Sequence, residues 1–159
     1  MNKTMILAGT IGFILGALVL GLVGFMAAPG LMITEDLSLY SFEETVQRIR
    51  DAAVAEGWKV PVVHEIDKSV AKAGYDVLPV SVIELCHASH AGKVLQADSD
   101  RVVSSMMPCR TSVYETSDGR VVISRMNTGL VSKVFGGTVA SVMQDATADT
   151  ERILRSVLQ

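Results

Sequence analysis

From Met5 to Ala28 the chain runs 24 residues without a charged side chain, MILAGTIGFILGALVLGLVGFMAA. At about 1.5 Å per residue, a helix of that length crosses a hydrocarbon core of roughly 30 Å. The run therefore predicts a membrane span rather than an element of a soluble core. A cleaved signal peptide is the rival, and it needs a shorter apolar stretch with small residues at −1 and −3 of the cut. Cutting after Ala27 puts Phe25 at −3, and cutting after Ala28 puts Met26 there, so the residues favour an uncleaved anchor. Lys3 precedes the span, Glu35 and Asp36 follow it closely, and the first basic residue beyond it is Arg48. Lys and Arg stay on the cytoplasmic side. The expectation is a single-pass protein of the cell inner membrane, with a cytoplasmic amino terminus and a periplasmic C-terminal domain.

The span divides the chain into an N-terminal anchor, residues 1–30, and a remainder, 31–159, long enough for one domain with one core. With Lys3 set aside, 13 basic and 17 acidic residues remain, no basic stripe is present, and aromatics make up 5% of the chain. Nucleic-acid binding is excluded, because neutralising phosphates takes clustered Lys and Arg. The expected partners are the lipid bilayer, through residues 5–28, and a second helix within it. Ala8, Gly12 and Gly16 recur every four residues on one face, and Gly12 to Gly16 is a GxxxG. Small residues at that spacing let two backbones approach closely where no hydrophobic effect joins helices. This face fits a homodimer or a partner in a membrane complex.

Beyond the span, helical and strand periods alternate. Pro29-Gly30 is expected to stop the first helix, and LMITEDLSLY to run extended. SFEETVQRIRDAAVAEG reads as a helix: Ser41 and Glu44 form a capping box, Phe42, Val46, Ile49 and Ala53 an apolar stripe, and Gly57 the stop. WKVPVVHEI is a short edge strand, because Pro61 cannot donate to a ladder. DKSVAKAG is a helical turn capped by Asp67, and YDVLPVSVIELC a central strand. ASHAGKVLQAD is a helix with Ala91, Val94 and Leu95 facing its core. CRTSVYET and RVVISRMN alternate as strands about the turn Ser117-Asp118-Gly119. A last helix from about Thr138 carries Val139, Val142, Met143, Ala146, Ile153, Leu154, Val157 and Leu158 on one face. The order β-α-β-β-α-β-β-α predicts the α+β class, an antiparallel sheet with helices packed on one face.

Five ordered blocks, SFEETVQRI, IELCHASHAGKVL, MPCRTSVYET, VVISRMNTGLV and FGGTVASVM, together resemble the domain-of-unknown-function 302 family over nearly all of residues 36–150. The resemblance implies a compact fold with a TATA-binding-protein-like arrangement of sheet and helices, often dimeric, and it implies no reaction. The junction after the strand reads Cys-Asn-Pro in many such proteins. Here His87 stands at the Asn position and Ala88 at the Pro position, which removes a good helix cap and supplies, with His90, a potential ligand pair.

Cys86, His87 and His90 fall within five consecutive positions of a chain with two cysteines and three histidines. Thiolate, imidazole and thioether suit copper, zinc or haem iron. If the strand after SSMMPC runs antiparallel to residues 75–86, Cys109 starts at the end of the sheet where Cys86 stops. Cys86, His87, His90 and Cys109 are then candidate metal ligands, and His87, His90 and Met107 candidate contacts for non-covalent haem. No CxxCH is present for covalent haem, and no CxxC for thiol catalysis. Each residue also has a bland role: Cys86 as a small buried side chain, His90 at the core edge, Met106 and Met107 as packing. The two cysteines alone allow a structural disulfide outside the cytoplasm. Glu84 is placed either to orient a histidine or to pair with Arg110. Ser104-Ser105 has no identifiable base, and no other catalytic constellation stands out. Three function classes remain open: an extracytoplasmic protein binding a metal ion or haem at the Cys/His cluster, a cofactor-free accessory subunit of a membrane complex with a structural Cys86–Cys109 pair, and, with the fewest residues behind it, an enzyme acting on a small molecule.

Overall fold

The computed structural model describes residues 3–158, with side chains for 9–28 and 30–158. The chain forms two compact units, Met1–Met32 and Ile33–Gln159, so the boundary falls two residues later than the sequence division. The first unit is helix α1 (Lys3–Met32). Within it Gly9–Ala28, 20 residues with a mean hydropathy of 2.4, is long and apolar enough to cross a membrane. The helix continues past Pro29-Gly30, where a stop was expected. A proline deletes one backbone donor rather than the whole ladder, and the compatible residues after it carry the helix to its last turn. The Ala8 side chain lies outside the described set.

The second unit is built on a five-stranded sheet of order β1-β5-β4-β3-β2. The strands are β1 (Ile33–Leu37), β2 (Val63–Glu65), β3 (Val80–Leu85), β4 (Cys109–Glu115) and β5 (Val121–Met126), and every neighbouring pair is antiparallel. The alternation expected of strands with one covered face holds. Ser81, Ile83, Leu85, Thr111, Val113, Ile123 and Arg125 turn inward and are buried. The opposite face carries Glu84, Arg110, Ser112, Tyr114 and Ser124. β2 lies at the edge, as Pro61 foretold, and β3 is interior. At the β4–β5 hairpin the chain needs a left-handed residue, which Gly119 supplies at φ +79°.

Helix α2 (Phe42–Ala55) begins at Ser41, whose hydroxyl accepts from the Glu44 amide at 3.4 Å. The reciprocal half of the capping box is not used, because the Glu44 carboxylate pairs with Arg48 at 2.8 Å. The helix buries Phe42, Thr45, Ile49 and Ala53 and ends at Gly57, φ +81°. Helix α3 (Ile66–Ala71) is capped at Glu65 without a side-chain bond, so Asp67 sits in its first turn and is not the cap. Helix α4 (Ala88–Leu95) buries Val94, whereas Leu95 is exposed. Eight residues make barely two turns, and Leu95 passes beyond the covered face. A 3₁₀ segment, Asp98–Met106, returns to β4. After β5 come α5 (Thr128–Val131), a 3₁₀ turn at Ser132–Val134, and α6 (Gly137–Leu154). The turn beyond α6 ties back to the residues just after β1: the Leu39 amide donates to the Val157 carbonyl at 3.0 Å, and Ser38 and Leu158 form an isolated antiparallel bridge.

Helices α2 and α6 contact each other, and α2 packs on β3 and β4. The main core joins Phe42, Ile49, Trp58, Ile83, Leu85, Ile123, Ile153 and Leu154. A smaller cluster of Val94, Val103, Val139 and Val142 lies between α4, the 3₁₀ segment and the start of α6. Ile49 is fully buried. Ile49→Ala is expected to cost about 2–5 kcal/mol through lost burial and an unfilled void. Leu95→Ala, at an exposed site, should stay within about 0.5 kcal/mol. Thermal unfolding of the full chain in detergent, followed by circular dichroism, checks both.

Candidate functional site

The β3–β4 register pairs Leu85 with Cys109, so Cys86 and Cys109 share one rim of the sheet as the antiparallel reading expected. The Cys86 backbone exchanges two hydrogen bonds with Lys59, at 2.8 and 2.9 Å, which fixes the chain just before α4. Cys109 stands opposite Leu85, one residue out of step with Cys86, and both thiols are free, so the structural disulfide is not formed. Burial pushes the Cys109 thiol above its ordinary value, and the neighbouring Cys86 pushes it the same way. It is a neutral thiol near pH 7, not a ready nucleophile.

His87 occupies the cap position of α4 in an extended conformation, φ −113° and ψ 111°, and its side chain makes no capping bond. This is the consequence of having histidine where Asn or Asp caps well. Its ring lies 4.5 Å from that of His90, and Trp58 touches both, at 5.4 and 5.6 Å between centroids. His90 Nε2 meets Asp149 Oδ2 at 2.9 Å, and Trp58 Nε1 donates to the same oxygen at 3.3 Å. The other Asp149 oxygen pairs with Arg152, which also reaches Glu56 at 3.0 Å. Partial burial works to raise the Asp149 carboxyl, but hydrogen bonds from His90 and Arg152 and their charge outweigh it and hold the group below the ordinary carboxylate range. Asp149 is therefore an ionised acceptor, and His90 carries its proton on Nε2. The Nδ1 atoms of His87 and His90 are both buried and bonded to nothing.

These rings form one end of a cavity of about 440 Å³ that lies between the sheet rim, α4, the 3₁₀ segment and α6. Most of its wall is apolar: Leu85, Val94, Val103, Val139, Val142, Ala146 and the methionines Met106, Met107 and Met143. Cys86 and Cys109 also line it. Arg125 and Glu151 close the far side with Thr128, Thr147 and Thr150. Arg125 is 9% exposed and bridges Asp36, at 2.6 Å, and Glu151, at 2.7 Å. Burial opposes its charge, and the two carboxylates more than offset that and raise its value further.

Cys86, His87, His90, Met107 and Cys109 thus all line one cavity. Among the described residues no three His, Cys, Asp or Glu side chains are placed to hold an ion. The reasons are local. His90 commits a nitrogen to Asp149, the two imidazoles pack ring against ring, and Cys109 is set opposite Leu85 rather than beside Cys86. Glu84 lies on the other face of the sheet, with His64 at 3.1 Å and Arg110 at 3.3 Å, so it orients neither cavity histidine.

Trp58, Asp149, Arg125 and Glu151 were not foreseen. The signals were present for two of them. Asp149 stands three residues after Ala146 and four before Ile153, a carboxylate inside an apolar helical stripe. Arg125 falls in phase with inward-facing Ile123 on an alternating strand.

Fold and cavity define a class: an antiparallel α+β domain with a half-open, small-molecule-sized cavity, following in the chain a helix long enough to span a membrane. Residues 33–158 match the family described as Domain of unknown function DUF302, and the chain belongs to that family. The chain is similar in structure to the "uncharacterized conserved protein DUF302 from Bacillus stearothermophilus", with a TM-score of 0.69 and 20% identity over 79% of this chain and 97% of that one. No curated protein matches the chain in sequence.

Asp149→Asn keeps the shape and removes the charge, and is expected to cost about 1–3 kcal/mol at neutral pH, as a buried polar network loses its ion. Folding lowers the Asp149 value, so the carboxylate's contribution is present above the unfolded value of about 3.9 and is lost as pH falls through the folded one. The stability gap between wild type and variant should be full down to about pH 4 and close below it. Thermal unfolding at stepped pH measures this, and a gap that persists unchanged far into acid contradicts the assignment.

Proposed function

We propose that the chain is a membrane-tethered binding protein whose cavity holds a small, mainly apolar molecule. In this reading α1 crosses the inner membrane once with the amino terminus in the cytoplasm, and the domain works in the periplasm. The cavity carries the reading. Its volume of about 440 Å³ lies within the 300–1,000 Å³ usual for small-molecule sites, and it combines an apolar wall with a few polar groups at its ends. His87, His90 and Met107, with the thiols of Cys86 and Cys109, are the contacts the occupant meets. The narrower form, a copper, zinc or haem iron site on Cys86, His87, His90 and Cys109, has the donor types in its favour and the absence of three converging donors among the described residues against it.

The chain has one tryptophan, Trp58, and it lines the cavity, so its emission reports on that space alone. The full chain in phospholipid nanodiscs is titrated with 2-bromonaphthalene, whose bromine quenches tryptophan on contact. Saturable quenching is expected in wild type and its loss in Ala146→Phe, which fills the cavity. Quenching that does not saturate, or that survives Ala146→Phe, counts against the proposal. Elemental analysis of the same preparation for copper, zinc and iron decides the narrower form.

A second reading, an accessory subunit held by its helix, rests on Gly12 and Gly16, where an added Cβ meets nothing within 4 Å. The two leave a narrow face for another helix, and Ala8, whose side chain lies outside the described set, continues the same spacing in the sequence. Gly12→Leu is then expected to abolish a crosslinked dimer or the co-purification of a membrane partner in detergent, and an unchanged crosslinking pattern would sink this reading.

A further inference from the structure

The polar end of the cavity limits what its occupant carries. This inference rests on the small-molecule reading above. Asp149 is an acceptor only, so the His90 proton sits on Nε2 and a neutral His90 leaves Nδ1 as a bare lone pair. That atom is buried and has no donor. His87 Nδ1 is likewise buried and without a partner, and with no hydrogen bond on either ring nitrogen among the described residues, His87 is free to carry its proton on Nδ1. An unmet buried polar atom carries a penalty that a partner removes.

Three ligand chemistries can be compared. A carboxylate offers no proton to His90 Nδ1, and it would sit beside ionised Asp149. An ammonium donates but accepts nothing from His87. A hydroxyl donates one proton and accepts at the same oxygen. It can therefore give its proton to His90 Nδ1 and take one from His87 Nδ1. His90 is fixed by its hydrogen bond to Asp149, whereas turning the His87 ring to admit the group breaks no hydrogen bond among the described residues. Trp58 lies against both histidines, and the same cavity is lined by the thioethers of Met106 and Met107, groups that favour the edge and face of an aromatic ring. The same chain carries the apolar span Gly9–Ala28, and β1 begins at the residue after α1 ends. A tethered domain of this kind draws apolar ligands from the lipid phase, where they concentrate.

We infer that the occupant is a membrane-soluble aromatic alcohol, of the phenol or hydroquinone class, seated with its hydroxyl against the His87–His90 pair and its apolar body along the α6 wall.

A matched pair of probes tests this on the full chain in nanodiscs: 6-bromo-2-naphthol and its methyl ether, compared at equal concentration in the lipid. Both quench Trp58 saturably in wild type, and the naphthol binds at least tenfold more tightly. In His90→Phe the ether still binds and the preference disappears. Equal binding of the two probes in wild type overturns the hydroxyl assignment and leaves the binding cavity standing. If neither probe quenches saturably, both the assignment and the proposed function fall. The wild-type comparison stands by itself if His90→Phe does not fold.

Discussion

The cavity exists because β3 and β4 are in one register. Pairing Leu85 with Cys109 ends both strands at the same rim, and everything between them, α4 and the 3₁₀ segment, must arch beyond the sheet. That arch has its own small cluster, Val94, Val103, Val139 and Val142, separate from the main core. Helix α6 joins the two. Its first half supplies Val139 and Val142 to the arch, and its second half supplies Ala146, Ile153 and Leu154 to the sheet. Between the clusters the sheet has stopped and the helix has not, and the space left under α6 is the cavity. A register slip by one residue would turn Leu85 outward and Glu84 inward, so the cavity is tied to the strongest constraint in the domain.

The charges at the cavity walls obey the cost of burial. Arg125 lies on the covered face of the sheet, where an unpaired guanidinium is untenable, and Asp36 and Glu151 flank it. Asp149 is balanced in the same way by Arg152 and further engaged by His90 and Trp58. Both networks anchor α6, one to β5 and β1, the other to α4 and the residue after α2. The helix is thus held at two points on either side of the void and does not depend on packing across it.

The local rules were legible. Ser41 and Gly57 bound α2, Gly119 makes the hairpin, Pro61 marks the edge, and the order of elements gives the sheet and its covered face. These depend on neighbours within a few residues. What was lost depends on which side a group faces after the chain has folded. Cys86, His87, His90 and Cys109 line one cavity, yet spacing along the chain says nothing of ring orientation or of Asp149 arriving from α6. Asp149 and Arg125 break apolar patterns, but a broken pattern does not name the partners that the fold brings to it from distant positions. Leu95, Asp67 and Pro29 were misjudged by one turn at element ends, where fraying and alternative caps differ little in free energy.

A half-open, largely apolar cleft of about 440 Å³ in a domain of this length needs a physical reason. Protein interiors pack at about 0.74–0.76 of their volume, and cavities forfeit the contacts of every atom that lines them. The side chains that keep this one open are small where larger ones fit the pattern. Ala91 faces it from α4 and Ala146 from α6, each in a stripe otherwise built of valine, isoleucine and leucine. A leucine at Ala146 would preserve the amphipathic period of α6 and shrink the space. Stability alone therefore favours a filled seam, with the histidines turned to water and their nitrogens hydrated. The chain instead keeps two imidazoles, a tryptophan and two thiols around an open apolar volume. That choice is intelligible when a guest supplies the missing contacts, and the guest's stabilisation then rises with its concentration over its dissociation constant.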